Sequence, residues 1–310
     1  MEPQPRITIV TPSFNQGQYL EDTLVSVLNQ NYPNLEYIVI DGGSSDNSVD
    51  IIRTYSHRLA WWTSEKDQGQ SDALNKGFAK ATGEIFGWIN SDDLLLPDAL
   101  HRVALQYQKS PQHLVIGDTI LFSSHPPFEI LQRQFGVTFE NMVMNWIGRR
   151  MTWCQPGTFF PAQAFRNVGG LDSSLRYVFD RDLMCRLLKD SAVAYVREPI
   201  AKFRLHGESK TVAESPRWVD EQILVTKRYS KSFPDLLDDK IFLECHLCSR
   251  LLPALRSWSQ GEPRGGIVKE LVKLFAAYPL LAIGSPRFWQ ALLRSVTPRP
   301  LLATLDRNLP

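Results

Sequence analysis

The stretch Ile85-Phe86-Gly87-Trp88-Ile89-Asn90-Ser91-Asp92-Asp93 decides the fold. Its first five residues read as a short buried strand, and the run then stops at two adjacent carboxylates followed by Leu94-Leu95-Leu96-Pro97. Adjacent like charges repel, and neither helps a core. In open α/β sheets, ligands bind outside the carboxyl ends of the strands, so acids delivered there are placed to meet a metal or a charged substrate. The competing reading makes Ser91-Asp92-Asp93 a polar turn that caps a helix starting near Pro97-Asp98.

Upstream, strands and helices alternate. Ile7-Thr8-Ile9-Val10 is a β-branched strand running into the loop Thr11-Pro12-Ser13-Phe14-Asn15. Leu20, Leu24, Val27 and Leu28 follow helical spacing between Tyr19 and Asn29. Tyr37-Ile38-Val39-Ile40 is a second strand, ending in Asp41-Gly42-Gly43-Ser44-Ser45-Asp46, and a helix begins near Val49. Leu59-Ala60-Trp61-Trp62 supplies a third strand, and a helix over Leu74–Ala79 is expected to be closed by Gly83. This alternation predicts a parallel, right-handedly wound α/β sheet. Three strands therefore deliver polar loops to one sheet edge. Asp41 could accept a hydrogen bond from a nucleobase imide there, with Gly42 and Gly43 permitting a tight turn and close approach of a ligand. Ser45 and Asp46 read as turn and cap residues. No Gly-x-Gly-x-x-Gly follows the first strand and no Walker motif is present.

Five segments in order resemble family 2 glycosyltransferases of the GT-A fold: Thr11–Asn15, Val39–Asp46, Asp72–Gly77, Ala81–Glu84 and Asn90–Asp93. The resemblance covers about residues 6–210. It implies a nucleotide-sugar donor, with UDP-sugar favoured, a divalent cation (Mn²⁺ or Mg²⁺), and inversion at the anomeric carbon. It also implies a Rossmann-like, mostly parallel sheet flanked by helices over residues 1–215. The nucleotide-binding half would take about 6–118 and the acceptor half about 119–215; beyond the resemblance, the apolar residues themselves read as a helical region over 216–310. Transferred residue by residue, Thr11, Pro12 and Asn15 would line the nucleotide pocket, and Asp41 with Gly43 would meet the base. Asp67, Asp72 and Asn75 would lie near the donor or support its loop, although Asp72 and Asn75 also suit an exposed first helical turn. Asn90-Ser91-Asp92-Asp93 would take the place of the family's Asp-x-Asp, with Asn90 standing where the first acid is expected. That leaves Asp92 and Asp93 as candidate metal ligands, with the choice between them open.

In the acceptor half, Pro126-Pro127 marks an irregular region after Ile116-Gly117-Asp118, and 139–150 suits a helix. Thr152–Phe160 resembles the family's acceptor loop, so Trp153 and Gln155 are candidate acceptor contacts; a buried Trp is the competing fate. Phe179-Asp180-Arg181-Asp182-Leu183 resembles the segment carrying the general base, with Phe179 in place of the usual Glu. The alignment puts the base at Asp180, with Asp182 second. Both acids also suit a helix N-terminus, where Asp182 would pair with Arg186 at i+4. Val193–Val196 reads as a strand, and the Arg204-x-His206-x-x-Ser209 piece resembles the family, making His206 a further candidate at the metal or diphosphate.

Composition agrees with an ordinary globular chain: 310 residues, 43% hydrophobic, 22% charged, net charge +1. Bulk charge gives no argument for nucleic acid. Four scattered cysteines form no disulfide framework, and Cys245-x-x-Cys248 lacks a second ligand pair for zinc. Neither a secretory h-region nor a spanning run is present, so the expected location is cytoplasmic. The basic, aromatic-rich segment over 264–310 suits peripheral contact with the inner face of a membrane, and thus a lipid-linked acceptor. It equally suits packing on its own domain or on a homodimer mate. A glycan acceptor fits without the membrane. A non-catalytic glycan- or nucleotide-sugar-binding member and a nucleotidyltransferase are the competing functions; the latter lacks its Gly-rich basic loop after the first strand. The absence of Gln-x-x-Arg-Trp and of spanning helices argues against processive synthesis.

Overall fold

The computed structural model describes residues 4–144, 151–207, 216–229 and 232. These residues fall into two compact units, with 4–144 and 151–207 in the first and 216–229 and 232 in the second.

The first unit begins with the expected alternation. Strand β1 (Ile7–Ser13) leads to α1 (Gly17–Leu28), β2 (Leu35–Asp41), α2 (Ser48–Tyr55), β3 (Trp61–Ser64), α3 (Gln70–Lys80) and β4 (Ile85–Trp88). β1 pairs in parallel with both β2 and β4, and β2 pairs in parallel with β3. Every residue of β1 and β4 is buried, which is why these strands read as near-continuous apolar runs. Period-two alternation assigns their two faces. Ile7, Ile9, Tyr37 and Val39 join Leu20, Leu24, Val27 and Leu28 of α1 in one core. Val10 and Ile40 face α3, where a Cβ on Gly77 would come within 2.5 Å of Val10 Cγ1 and 3.2 Å of Ile40 Cγ1. On that side Phe78, Phe86, Trp88, Phe160 and Phe165 form an aromatic cluster with ring centroids 4.7–6.4 Å apart. Each such buried ring contributes about 1.5–3 kcal/mol.

Gly83 does not close α3, which ends at Lys80 with Ala81 as its cap residue. A Cβ on Gly83 would sit 2.5 Å from Thr8 Oγ1 and 2.9 Å from the Arg6 carbonyl, so close backbone approach is what requires glycine there.

The second half departs further from a parallel sheet. β4 is followed by the two-residue β5 (Leu94–Leu95), α4 (Ala99–Lys109), β6 (Leu114–Ser124) and β7 (Pro127–Gln132). Then come α5 (Phe139–Val143), β8 (Thr158–Pro161), α6 (Ala162–Asn167), α7 (Phe179–Leu187) and β9 (Val193–Arg204). The sheet order is β3-β2-β1-β4-β8-β6-β9-β5, with β7 on β6. β8 is antiparallel to β4 and β6, β7 to β6, and β5 to β9; β6 and β9 run in parallel. The fold is a mixed α/β sheet flanked by helices, parallel through its first four strands and divided beyond them.

The region around Pro126-Pro127, expected to be irregular, is the β6–β7 hairpin: Pro127 opens an edge strand, where its missing N–H costs little. β9 runs eight residues past the expected Val196. Pro199 is accommodated because the β6–β9 register shifts around Asp118, a bulge. Of the expected helix 139–150, Phe139–Val143 is helical and 145–150 lie outside the described residues.

Helix α8 (Pro216–Tyr229) begins the second unit, with Lys227 and Arg228 in its last turn. Among the described residues no helix is long and apolar enough to cross a membrane. Cys245-x-x-Cys248, Ser209, and the membrane and dimer expectations for 264–310 lie outside the described residues.

Candidate active site at the carboxyl edge of the sheet

Because β3, β2, β1 and β4 are parallel, the loops after them emerge on one edge. The first two are stitched together. Asn15, in a left-handed conformation at φ 51°, donates its N–H to Ser44 Oγ at 2.8 Å, and its Oδ1 accepts from Ser45 N at 2.8 Å. Gly17 N donates to Asp46 Oδ2 at 2.9 Å, and Gly42 N to the Ser13 carbonyl at 2.8 Å. Gly43 turns the loop at φ 82°.

Asp41 is fully buried behind this loop. Its Oδ2 accepts from Gly43 N, Ser44 N and Ser64 Oγ, and its Oδ1 from Ser44 Oγ at 2.5 Å. It therefore organises the loop rather than lying open on the cleft. Thr11 is equally buried, its hydroxyl 2.9 Å from Tyr37 Oη, and Pro12 is buried beside it. Asp67 approaches from the third loop, so close that a Cβ on Gly42 would lie 2.6 Å from its Oδ2. Burial lifts the Asp67 carboxyl above its ordinary value; the Gly69 N–H opposes this and the charge of Asp72 adds to it. Asp72 accepts from Gln68 N and pairs with Lys76 at 3.4 Å. Asn75 turns elsewhere: it exchanges hydrogen bonds with Leu171 N and O, both 2.9 Å, and donates to Ser173 Oγ at 3.2 Å.

At the end of β4 the two adjacent acids part company. Asp93 is fully buried. Its Oδ1 accepts from Arg204 N at 2.9 Å, and its Oδ2 from Asn90 Nδ2 at 3.0 Å. Burial, and then the neighbouring Asp92 charge, push its carboxyl well above the ordinary range. Asp92 faces outward, 18% exposed, with Oδ2 3.0 Å from His206 Nε2. The Asp93 carbonyl accepts from Thr23 Oγ1 at 2.8 Å. The helix-cap reading of these acids fails: β5 intervenes, and α4 starts only after Asp98, whose side chain makes no cap bond. Ser91 is buried.

Asn90 is the junction of a chain of amides. Gln70 Nε2 donates to its Oδ1 at 2.7 Å, its Nδ2 donates also to Gln155 Oε1 at 3.2 Å, and Gln155 Nε2 donates to the Trp88 carbonyl at 3.0 Å. The expected acceptor loop is thus linked to Asp93 through Gln155 and Asn90. Trp153 is half-buried, with Nε1 donating to Thr158 Oγ1 at 2.9 Å.

Asp180 and Asp182 also separate. Both lie in the first turn of α7, one residue apart on either side of the fully buried Arg181. Asp182 is sealed in, with Oδ2 2.8 Å from Arg186 Nε, the i+4 pair anticipated for it. Asp180 is partly exposed and accepts from Arg181 N at 2.7 Å. A hollow of about 670 Å³, lined by Thr82, Gly83, Tyr107, Arg166 and Arg186, lies toward the opposite edge and includes none of the strand-end acids.

The family model for glycosyl transferase family 2 matches residues 8–171, more than half of the chain, and takes in the loops after β1, β2, β3 and β4. The chain belongs to glycosyltransferase family 2. It is 27% identical over 213 residues to an uncharacterized glycosyltransferase of Rickettsia typhi, covering 67% of this chain and 66% of that protein. The chain thus spans a little under two thirds of the length of that curated relative. Among solved structures it is similar to TarS of S. aureus in complex with UDP-GlcNAc, with TM-score 0.63, 14% identity, and 94% and 88% of the two chains covered. It is also similar to the mannosyltransferase PcManGT of Pyrobaculum calidifontis in complex with GDP-Man and Mn²⁺, with TM-score 0.56, 15% identity, and 99% and 89% covered. At these identities the likeness establishes the fold, which is that of GT-A glycosyltransferases.

Sequence reasoning left Tyr19, Thr23, Gln70 and Arg204 without roles in this member of glycosyltransferase family 2. Arg204 had a signal, its place two residues before His206; the others had none, because their partners lie 20 to 187 residues away.

Proposed function

We propose that the chain transfers a sugar from a nucleotide-sugar, a UDP-sugar by preference, to a hydroxyl of a glycan or lipid-linked acceptor, with inversion at the anomeric carbon. The observation that carries the reading is the division of labour at the end of β4: Asp92 faces outward toward His206, while Asp93 is buried as its support.

Asp92 and His206 fit a divalent cation. A carboxylate oxygen and an imidazole nitrogen 3.0 Å apart suit Mn²⁺ or Mg²⁺. Phosphate oxygens and water would complete its coordination. Such a cation would supply positive charge against the diphosphate as it leaves. Asp93 holds Asn90 and the end of β9 in place, and Asn90 presents a neutral amide where a third acid would add repulsion. The stitched loops after β1 and β2, organised by Asp41, would shape the nucleoside pocket.

Asp180 acts as the general base. It takes the proton of the acceptor hydroxyl as that oxygen bonds to the anomeric carbon, on the face opposite the breaking bond to the diphosphate. Asp182 is unsuited, being fully buried and paired with Arg186. Gln155, bound to Asn90 and to the Trp88 carbonyl, and Trp153, bonded to Thr158, would contact the acceptor. The nucleotide-sugars in the TarS and PcManGT structures support the donor class.

Calorimetric titration of UDP, GDP and dTDP with Mn²⁺ or Mg²⁺, repeated in EDTA, tests the reading. Metal-dependent UDP binding that Asp92→Asn weakens is the expected result. Nucleotide binding indifferent to both metal and Asp92 would remove the role assigned to the strand-end acid.

A further inference from the structure

We propose that Arg204 is a positioning residue that sets Asp92 and His206 at the separation needed to bind a divalent cation; this rests on the metal reading above. Arg204 is the last residue of β9 and is 7% exposed. Its guanidinium lies between two rings, 4.7 Å from the centroid of Tyr19 on α1 and 4.6 Å from that of Phe122 on β6. Caged in this way, it is not a surface cation free to swing onto a ligand.

Its polar atoms point to its role. Nε donates to the backbone carbonyl of Asp92 at 2.8 Å, and the backbone N–H donates to Asp93 Oδ1 at 2.9 Å. Nη2 lies 3.4 Å from the exposed carboxylate of Asp22. Binding the carbonyl of Asp92 rather than its carboxylate brings positive charge beside two adjacent acids and leaves Asp92 Oδ2 turned to His206. The same Tyr19 ring that covers the guanidinium packs on His206, with centroids 4.8 Å apart. One side chain therefore touches the supports of both candidate ligands. An apolar residue of similar size would fill the cage but would neither hold the Asp92 carbonyl nor offset the paired acids. Lys would keep the charge but lose the planar Nε donor.

The test compares Mn²⁺ binding, read from the free-ion electron paramagnetic resonance signal with and without UDP, in the wild type, Arg204→Lys, Phe122→Leu and Asp92→Asn. Melting temperatures and transfer at rising Mn²⁺ are measured alongside. Outer-shell partners of metal ligands typically change affinity by about 10- to 100-fold. Arg204→Lys is expected to raise the Mn²⁺ Kd within that range and to regain transfer when Mn²⁺ is saturating. A purely structural lesion would lower the folded fraction without moving the Kd of what remains folded. Phe122→Leu leaves Arg204 in place but opens one side of its cage, so a several-fold rise in Kd is expected even if Arg204→Lys does not fold. Wild-type Kd in both folded variants, with Asp92→Asn impaired, overturns the role of Arg204 and spares the metal reading. No Mn²⁺ binding by the wild type overturns both.

Discussion

Replacing Asp180 and Asp182 one at a time by Asn should separate chemistry from stability. Asp180→Asn keeps an acceptor oxygen for the Arg181 N–H, now 2.7 Å away, and loses one charge from the first turn of α7. A helix-terminal charge is worth about 0.3–1 kcal/mol, so loss of that charge by itself should lower melting by no more than about 4 °C for a domain of this size. Loss of a general base removes about 10²–10⁴ in rate, or roughly 3–5 kcal/mol of barrier. Asp182→Asn does the opposite. It leaves Arg186, whose side chain is 20% exposed, without the carboxylate 2.8 Å from its Nε. Breaking a buried pair costs about 3–5 kcal/mol. Arg186 keeps its bonds to the Val168 and Gly170 carbonyls, so the lower end applies: about 3 kcal/mol, or about 6–12 °C of melting temperature. Thermal melts and transfer rates per folded molecule, on both variants, read the two effects. A fully active Asp180→Asn, or a stable but inactive Asp182→Asn, would refute the assignment.

Other perturbations probe the scaffold. Asn75→Ala breaks the latch to Leu171 and Ser173, so transfer should slow several-fold while UDP affinity stays within twofold; the reverse pattern would place Asn75 at the nucleotide. Gly87→Ala puts a Cβ 2.7 Å from the buried Phe159 ring and should cost about 1–3 kcal/mol by overpacking, read from urea midpoints. Glu36 provides a pH test. Burial alone would raise its carboxyl, but the Thr8 hydroxyl, the Thr82 N–H and hydroxyl, and Arg6 outweigh burial and lower it below 4.5. A lowered carboxyl stabilises the fold above the unfolded value, and that stability is lost as pH falls through the folded one. Stability should therefore decline from about pH 4.5 downward, less steeply in Glu36→Gln; identical acid limbs in urea titrations would contradict this.

The first hundred residues were legible because their signals are local. Apolar runs in β1, β2 and β4 report burial on both faces, and Leu20, Leu24 and Val27 repeat at helical spacing. The hairpin at Pro127 was not legible, since proline reads as a break until the strand is known to lie at an edge. The run of β9 through Pro199 was hidden for a similar reason: a bulge is a property of the partner strand's register, not of the residues themselves.

The candidate site divides along the same line. By itself the sequence determined that acids stand at strand ends and at the start of α7, that Asn90 replaces an acid, and that His206 follows the last strand. It left Asp92 and Asp93 equivalent, and ranked Asp180 over Asp182 only by alignment. The tertiary structure distinguished the members of each pair by burial and by partners remote in the chain. Arg204 reaches back 111 residues to cap Asp93, and His206 reaches back 114 to face Asp92. It also gave Thr11, Asp41 and Asn75 hydrogen-bond partners within the protein that the sequence does not reveal. A carboxylate's role depends on its solvation and on the donors it meets, and both are set by chain segments brought together only on folding.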